Sequence, residues 1–182
     1  METFAPAKPF MAHPTYRKDR DRVLGSLDLE AVDAPIRGVI HDFRALSHCF
    51  TLQCCHGHFV HIGQTDPHGL ARLPPQGPEQ VQYRIAYLAL CIEDSVPGHE
   101  LRRLLEGIPH SAPEFIQFGS PDWFWERQPN SYALQVEPER FKDTDVATIG
   151  YREALRVQEV RDLFFNRVAQ VLQATSINLG AA

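Results

Sequence analysis

Twelve residues limit what this chain can fold into more than any others. From Val81 to Ile92 an extended strand carries apolar side chains on both faces, with Ile85, Tyr87, Ala89 and Cys91 opposed to Ala86, Leu88, Leu90 and Ile92. Side chains alternate across a strand, so this one has to be covered above and below. That requirement predicts a central strand, and it makes Cys91 a small core residue rather than a ligand.

The cover is provided by helices. A charged helix is expected from Thr15 to Leu27, touching the core through Tyr16, Val23, Leu24 and Leu27. A second is marked by Asp33 as N-cap and Pro35 in its first turn, with Ile36, Val39, Ile40, Phe43 and Leu46 at helical spacing. Ser95 caps a third, running to about Gly107 and burying Leu101, Leu104, Leu105 and Ile108. A long amphipathic helix, from about Tyr151 to Gln173, ends the sequence. Glu114 to Phe118, Trp123 to Glu126 and Tyr132 to Glu137 read as strands, with Gln128-Pro129-Asn130 as a hairpin turn between the last two. Residues 64–79, rich in Pro and Gly, cannot pair centrally and are expected to form a surface loop.

Helices and strands interleave along the whole length, which predicts an α/β fold, or α+β, with a mixed sheet flanked by helices. A flexible N-terminal arm is expected over residues 1–14, one domain over 15–175 and a tail over 176–182.

A net charge of −5 does not advertise the basic face of a nucleic-acid-binding protein, although Arg17, Lys18, Arg20 and Arg22 cluster locally among acids. No run of about 18 apolar residues is present to span a membrane. The first residues lack the apolar stretch of a signal peptide, so a cytoplasmic location is expected. Four cysteines, two of them adjacent, do not form a secreted disulfide framework, and reduced thiols are expected. The glycine-rich nucleotide motifs and the G-x-S-x-G elbow are missing.

Chemistry concentrates in one place. From His48 to His61 the chain holds three of its four cysteines and four of its nine histidines. Phe50, Thr51 and Leu52 lead in as a strand, and Phe59, Val60 and Ile62 lead out as another. Gly57 sits at the reversal, where a positive φ is tolerated. Alternation would place His56 and His58 on one face.

The first third of the chain resembles the tRNA wybutosine-synthesising methyltransferases and their archaeal relatives. That pattern is a basic helix ending in a leucine-rich turn, then a V-D-x-x-I helix, then a strand and turn reading roughly T-T-S-S-C-S-G-R. Here Arg17-Lys18 through Leu27, Val32-Asp33-Ala-Pro-Ile36 and Thr51-Leu-Gln-Cys-Cys-His-Gly-His58 fall in that order. Tyr132-Ala-Leu-Gln-Val-Glu137 looks like a later family strand reading I-L-H-V. The resemblance covers residues 16 to 63 well and the rest in outline. It implies a non-Rossmann α/β fold, S-adenosylmethionine as methyl donor and a modified guanosine of tRNA as acceptor. By residue it carries over Thr51, Cys55 and Gly57. Gln53, Cys54 and His56 stand where the family has serines, His58 where it has arginine, and Gln135 where its strand has histidine. The resemblance thus makes Thr51, Gln53, Cys54, His56, Gly57 and Gln135 candidate cofactor-binding residues, with Cys55 and His58 as the reacting pair. The charge balance favours a small acceptor over tRNA itself.

The departures raise a second chemistry. Cysteines and histidines in place of serines and arginine supply soft metal ligands, and Cys55, His56 and His58 could hold zinc or iron with one position open. Cys55 beside His56 also raises the idea of a thiol nucleophile. The alternative to both is packing, with Cys54 and Cys55 as small buried residues in a non-catalytic interaction domain. Trp123, Phe124, Trp125 and Tyr132 are read as sheet packing before base stacking. His99 and His110 are read as solvated or capping residues.

Overall fold

The computed structural model describes residues 4–66 and 68–180, with side chains through residue 175. In chain order the elements are β1 (Phe4–Ala5), α1 (Tyr16–Ser26), α2 (Arg37–Ala45), β2 (Cys49–Cys55), β3 (His58–Val60), β4 (Gln80–Arg84) and β5 (Ala86–Ile92). They continue with α3 (Val96–Glu106), β6 (Ile116–Pro121), α4 (Asp122–Arg127), β7 (Ser131–Val136), β8 (Val146–Gly150) and α5 (Tyr151–Gly180).

Two antiparallel sheets organise them, one ordered β1-β6-β7-β5-β2 and the other β3-β4-β8. The fold class is therefore the expected mixture of helices around a sheet, although every described strand pair is antiparallel rather than mixed. The core lies between the sheets and α5, which buries Ala154, Val157, Val160, Phe164, Val168 and Leu172. Helices α2 and α3 pack beside α5. On the other face of the five-stranded sheet α1 covers a smaller cluster of Tyr16, Phe50 and Cys91, so Cys91 is a core residue as expected. The helix expected at Ser95 forms, with the Ser95 hydroxyl accepting from Gly98 N.

Several expectations give way. The twelve-residue strand breaks at Ile85, whose N–H makes the last bond in the β4–β8 register, to the Asp145 carbonyl at 3.2 Å. Its first half joins the three-stranded sheet and its second half lies inside the five-stranded one, between β7 and β2. The pattern shifts there too: polar and apolar residues alternate from Gln80 to Arg84, whereas both faces are apolar from Ile85 on. The core set passes from Val81, Tyr83 and Ile85 to Ala86, Leu88, Leu90 and Ile92. The Tyr83 hydroxyl closes the bend, accepting from Ala86 N at 2.9 Å and donating to Val136 O at 2.8 Å.

The cysteine–histidine stretch is not a hairpin either. Strand β2 pairs with β5 and β3 pairs with β4, so the chain changes sheets at His56-Gly57. Gly57 has φ +87°, and a Cβ there would stand 2.9 Å from Ala86 Cβ. The two sheet-changing points touch each other. Ile62 lies beyond β3 and is 92% exposed.

Trp123 to Glu126 is helical, not a strand. Pro121 ends β6, Asp122 opens the helical turn and the Arg127 guanidinium lies over the Trp123 ring one turn back, 3.1 Å from its centroid. Residues 128–130 therefore turn from helix to strand, with Asn130 at φ +61°. Asp33 makes no cap with its side chain, because its carboxylate is committed elsewhere. Residues 4–14 are tied to the sheet: β1 pairs with β6, and the Asn130 side chain bonds Met11 N and O at 2.9 Å each. Residues 176–180 continue α5 rather than forming a tail; residues 1–3, 67 and 181–182 of the expected arm, loop and tail lie outside the described residues.

Candidate functional site

Register brings distant parts of the sequence into one row. Cys55 on β2 is opposite Tyr87 on β5, which is opposite Gln135 on β7, which is opposite Gln117 on β6. Directly opposed residues share a face, and so does the next row, Gln53, Ala89, Ala133 and Gly119. Over this face, at the seam between the sheets, lies a cleft of about 930 Å³. Gln53, Cys55, Tyr87, Ala133 and Gln135 form its floor. His58, Arg84 and Val146 of the three-stranded sheet form one wall, and Phe4, Trp123 and Phe124 another. The segment from Lys142 to Asp145 closes a third side.

Asp33 organises the turn. One carboxylate oxygen, Oδ2, accepts from His56 N at 2.8 Å and stands 3.3 Å from His58 Nε2. The other ring nitrogen of His58, Nδ1, donates to the carbonyl of His68. Cys55 Sγ accepts from Gly57 N at 3.4 Å, and the ligand atoms of Asp33, Cys55 and His58 all lie within 4.8 Å of one another. Hydrogen bonding with Cys55 raises the His58 pKa to about 9, helped by the His68 carbonyl and the Cys55 and Asp33 charges and opposed by burial. His58 is thus held in its charged form at neutral pH, beside the Asp33 carboxylate.

The remaining candidates separate. Cys54 borders the cleft, but it is opposite Leu88 in register and packs against the core; burial pushes its thiol up to about 12. His56 turns away, stacked on Phe165 of α5 with centroids 5.3 Å apart. Burial, then the Arg161 charge, lowers it to about 4, so it is a neutral packing residue and does not join His58. Thr51 is opposite Leu90, on the core side of a bulge between Thr51 and Gln53, and does not line the cleft. Gly57 shapes the turn. Gln135 reaches the cleft, yet its amide nitrogen already donates to Glu137 Oε1 at 2.9 Å and the Lys142 carbonyl at 3.0 Å, so it braces the wall. The aromatics expected as packing divide: Trp125 packs edge-on against Tyr132, whereas Trp123, 50% exposed, faces the cleft.

Two residues were missed. Asp33 was read as a helix cap, and its sole sequence signal was its place in Val32-Asp33-Ala-Pro-Ile36. Arg161 had none: it is an arginine on the buried face of α5, donating to the Gly57 carbonyl at 3.2 Å.

No protein-family model matches this sequence, and no curated protein matches it significantly. Among solved structures, the PH1069 protein from Pyrococcus horikoshii is similar with a TM-score of 0.47 and 13% identity, over 92% of this chain and 95% of that one. A hypothetical protein from Aeropyrum pernix is similar with a TM-score of 0.42 and 9% identity, over 78% of this chain and 98% of that one. At these values the likeness says nothing about function.

Proposed function

We propose that the seam cleft binds S-adenosylmethionine and that the protein is a methyltransferase-like enzyme, diverged in its active loop, acting on a nucleoside or another small aromatic acceptor. The observation that carries this reading is convergence. Gln53, Cys55, His58 and Gln135, which the resemblance assigns to one site from stretches far apart in sequence, meet at one cleft. The cleft has the volume of a small-molecule site, with apolar and aromatic walls and a few placed polar groups.

Its charge fits the donor. Asp33, Asp122, Glu126, Asp143 and Asp145 line it against Arg84, Lys142 and His58, an acidic balance suited to a ligand with sulfonium and ammonium charges. The same balance repels a polyphosphate backbone, which favours a small acceptor over tRNA. Trp123 and Phe124 offer faces for an adenine or an aromatic acceptor. Held there, S-adenosylmethionine would supply an electrophilic methyl group to the acceptor heteroatom, leaving as the thioether while the acceptor's proton goes to solvent. Gln53, Trp123 and Phe124 would position donor and acceptor.

Calorimetric titration with S-adenosylmethionine tests the reading. Saturable one-to-one binding is expected, weakened about tenfold by Gln53→Ala, an exposed position whose loss leaves the core intact. Absence of heat at millimolar ligand would remove the methyltransferase reading.

A further inference from the structure

We propose that Asp33, Cys55 and His58 form a binding site for one divalent transition-metal ion, zinc by preference, with its fourth position open to the cleft. The site stands on its own geometry and does not require the S-adenosylmethionine reading.

The donor atoms are already gathered. A tetrahedral zinc with bonds of about 2.0–2.3 Å holds its ligand atoms roughly 3.3–3.8 Å apart. His58 Nε2 and Asp33 Oδ2 stand at 3.3 Å, and the whole set is within 4.8 Å, so a small inward movement completes three sides of the tetrahedron. A thiolate, an imidazole and a carboxylate suit zinc; a hard cation such as magnesium or calcium would want oxygen alone. Thiolate and carboxylate together cancel the charge of a divalent ion.

Each donor is also aimed by a main-chain group of the surrounding loops. Gly57 N–H bonds the Cys55 sulfur, His56 N–H bonds the Asp33 carboxylate, and the His68 carbonyl holds His58 Nδ1–H. A carbonyl only accepts, so Nδ1 carries a proton in either charge state of the ring, and Nε2, facing Asp33 and Cys55, is the nitrogen that would give up its proton to a metal. Metal-binding histidines are held in this way, with the far ring nitrogen anchored on a carbonyl or carboxylate. All three donors line the cleft, so the fourth position faces the space a substrate would enter. Three protein ligands and one open position is the arrangement of a reactive zinc, not of a structural one. Cys54 and His56, turned to the core and to Phe165, take no part.

The test uses full-length protein stripped with chelator and titrated with cobalt(II) as a spectroscopic probe, followed by zinc in competition with a chromogenic chelator. Expected are one equivalent of cobalt, a thiolate-to-cobalt charge-transfer band and visible absorption of tetrahedral type, all displaced by zinc. Cys55→Ser should abolish the charge-transfer band, and Asp33→Asn and His58→Gln should each weaken zinc at least tenfold. Cys54→Ser should leave the spectrum unchanged. Circular dichroism of the metal-free variants checks that each is folded. Wild-type protein that takes up no cobalt, leaving a hydrogen-bonded triad only, would overturn the proposal, as would a band that survives Cys55→Ser or vanishes with Cys54→Ser. Repeating the S-adenosylmethionine titration with and without zinc keeps the two readings apart, since either can fail alone.

Discussion

Arg161 reaches back 104 residues to donate a hydrogen bond from Nη1 to the carbonyl oxygen of Gly57, at 3.2 Å. Its guanidinium is buried against Asp162 and sits 5.2 Å from the Phe59 ring centroid. A long helix thus holds the turn that carries Cys55 and His58. Arg161→Met removes the donor and half of a largely buried ion pair, which should cost about 2–4 kcal/mol. Urea unfolding measures it, and a loss below about 1 kcal/mol would mean the turn holds without this anchor.

Gly57 is expected to tolerate no other residue. Its φ of +87° is in glycine's region, and a Cβ would press on Ala86 Cβ at 2.9 Å and the Tyr83 hydroxyl at 3.1 Å. Gly57→Ala should destabilise by about 2 kcal/mol or more, combining backbone strain with overpacking. A midpoint shift near zero in chemical unfolding would show that the two sheet-changing points can move apart.

The pH dependence of stability should carry the mark of Glu137. Burial, then the Asp143 and Asp145 charges, raises this carboxyl to about 9, and its Oε2 has no hydrogen-bond partner. The folded protein keeps the proton that the unfolded chain gives up near pH 4.5. The contribution is therefore full below about pH 4.5 and is lost as pH rises through about 9. Glu137→Gln needs no proton, so it should gain on the wild type with rising pH, by up to about 1.4 kcal/mol per pH unit between pH 5 and 9. Parallel unfolding curves at pH 5, 7 and 9 decide it; a constant difference would place an ordinary, ionised carboxylate there.

Trp123 separates ligand binding from stability. It is 50% exposed, at the mouth of the cleft and stacked only by Arg127 of its own helix among the described contacts. Trp123→Ala should change unfolding free energy by less than about 0.5–1 kcal/mol while weakening an aromatic ligand about tenfold. A full loss of stability instead would make the ring part of the packing, like Trp125.

What the sequence revealed follows from where local physics decides. Ser95 and Pro97 start α3 without help from the rest of the fold, and the apolar stripe of α5 repeats long enough to be unmistakable. Gly57 was legible as a position of positive φ, although the chain changes sheets there instead of turning back as a hairpin. The break at Ile85 was not, because a run apolar on both faces hides the shift of the core set from Val81, Tyr83 and Ile85 to Ala86, Leu88, Leu90 and Ile92, and the bend itself is closed by the Tyr83 hydroxyl. The Trp-Phe-Trp run misled in the other direction: aromatics favour strands, but the contact between Trp123 and Arg127 is a helical one. At the site, the pairing of Cys55 with His58 was visible as proximity in sequence. Asp33 was hidden because an aspartate before a helix usually caps it, whereas this one spends its oxygen on His56 N–H, 23 residues away.

The contact of Gly57 with Ala86 has a consequence for how the strands find their alignment. A β-strand that slips by one residue against its neighbour presents its wrong side. Here the chain passes from one sheet to the other at two points wedged together, so a slip in β2 against β5 would drag β3 along β4 as well. Each sheet therefore acts as the ruler for the other, and the correct pairing is selected by two sets of buried side chains at once.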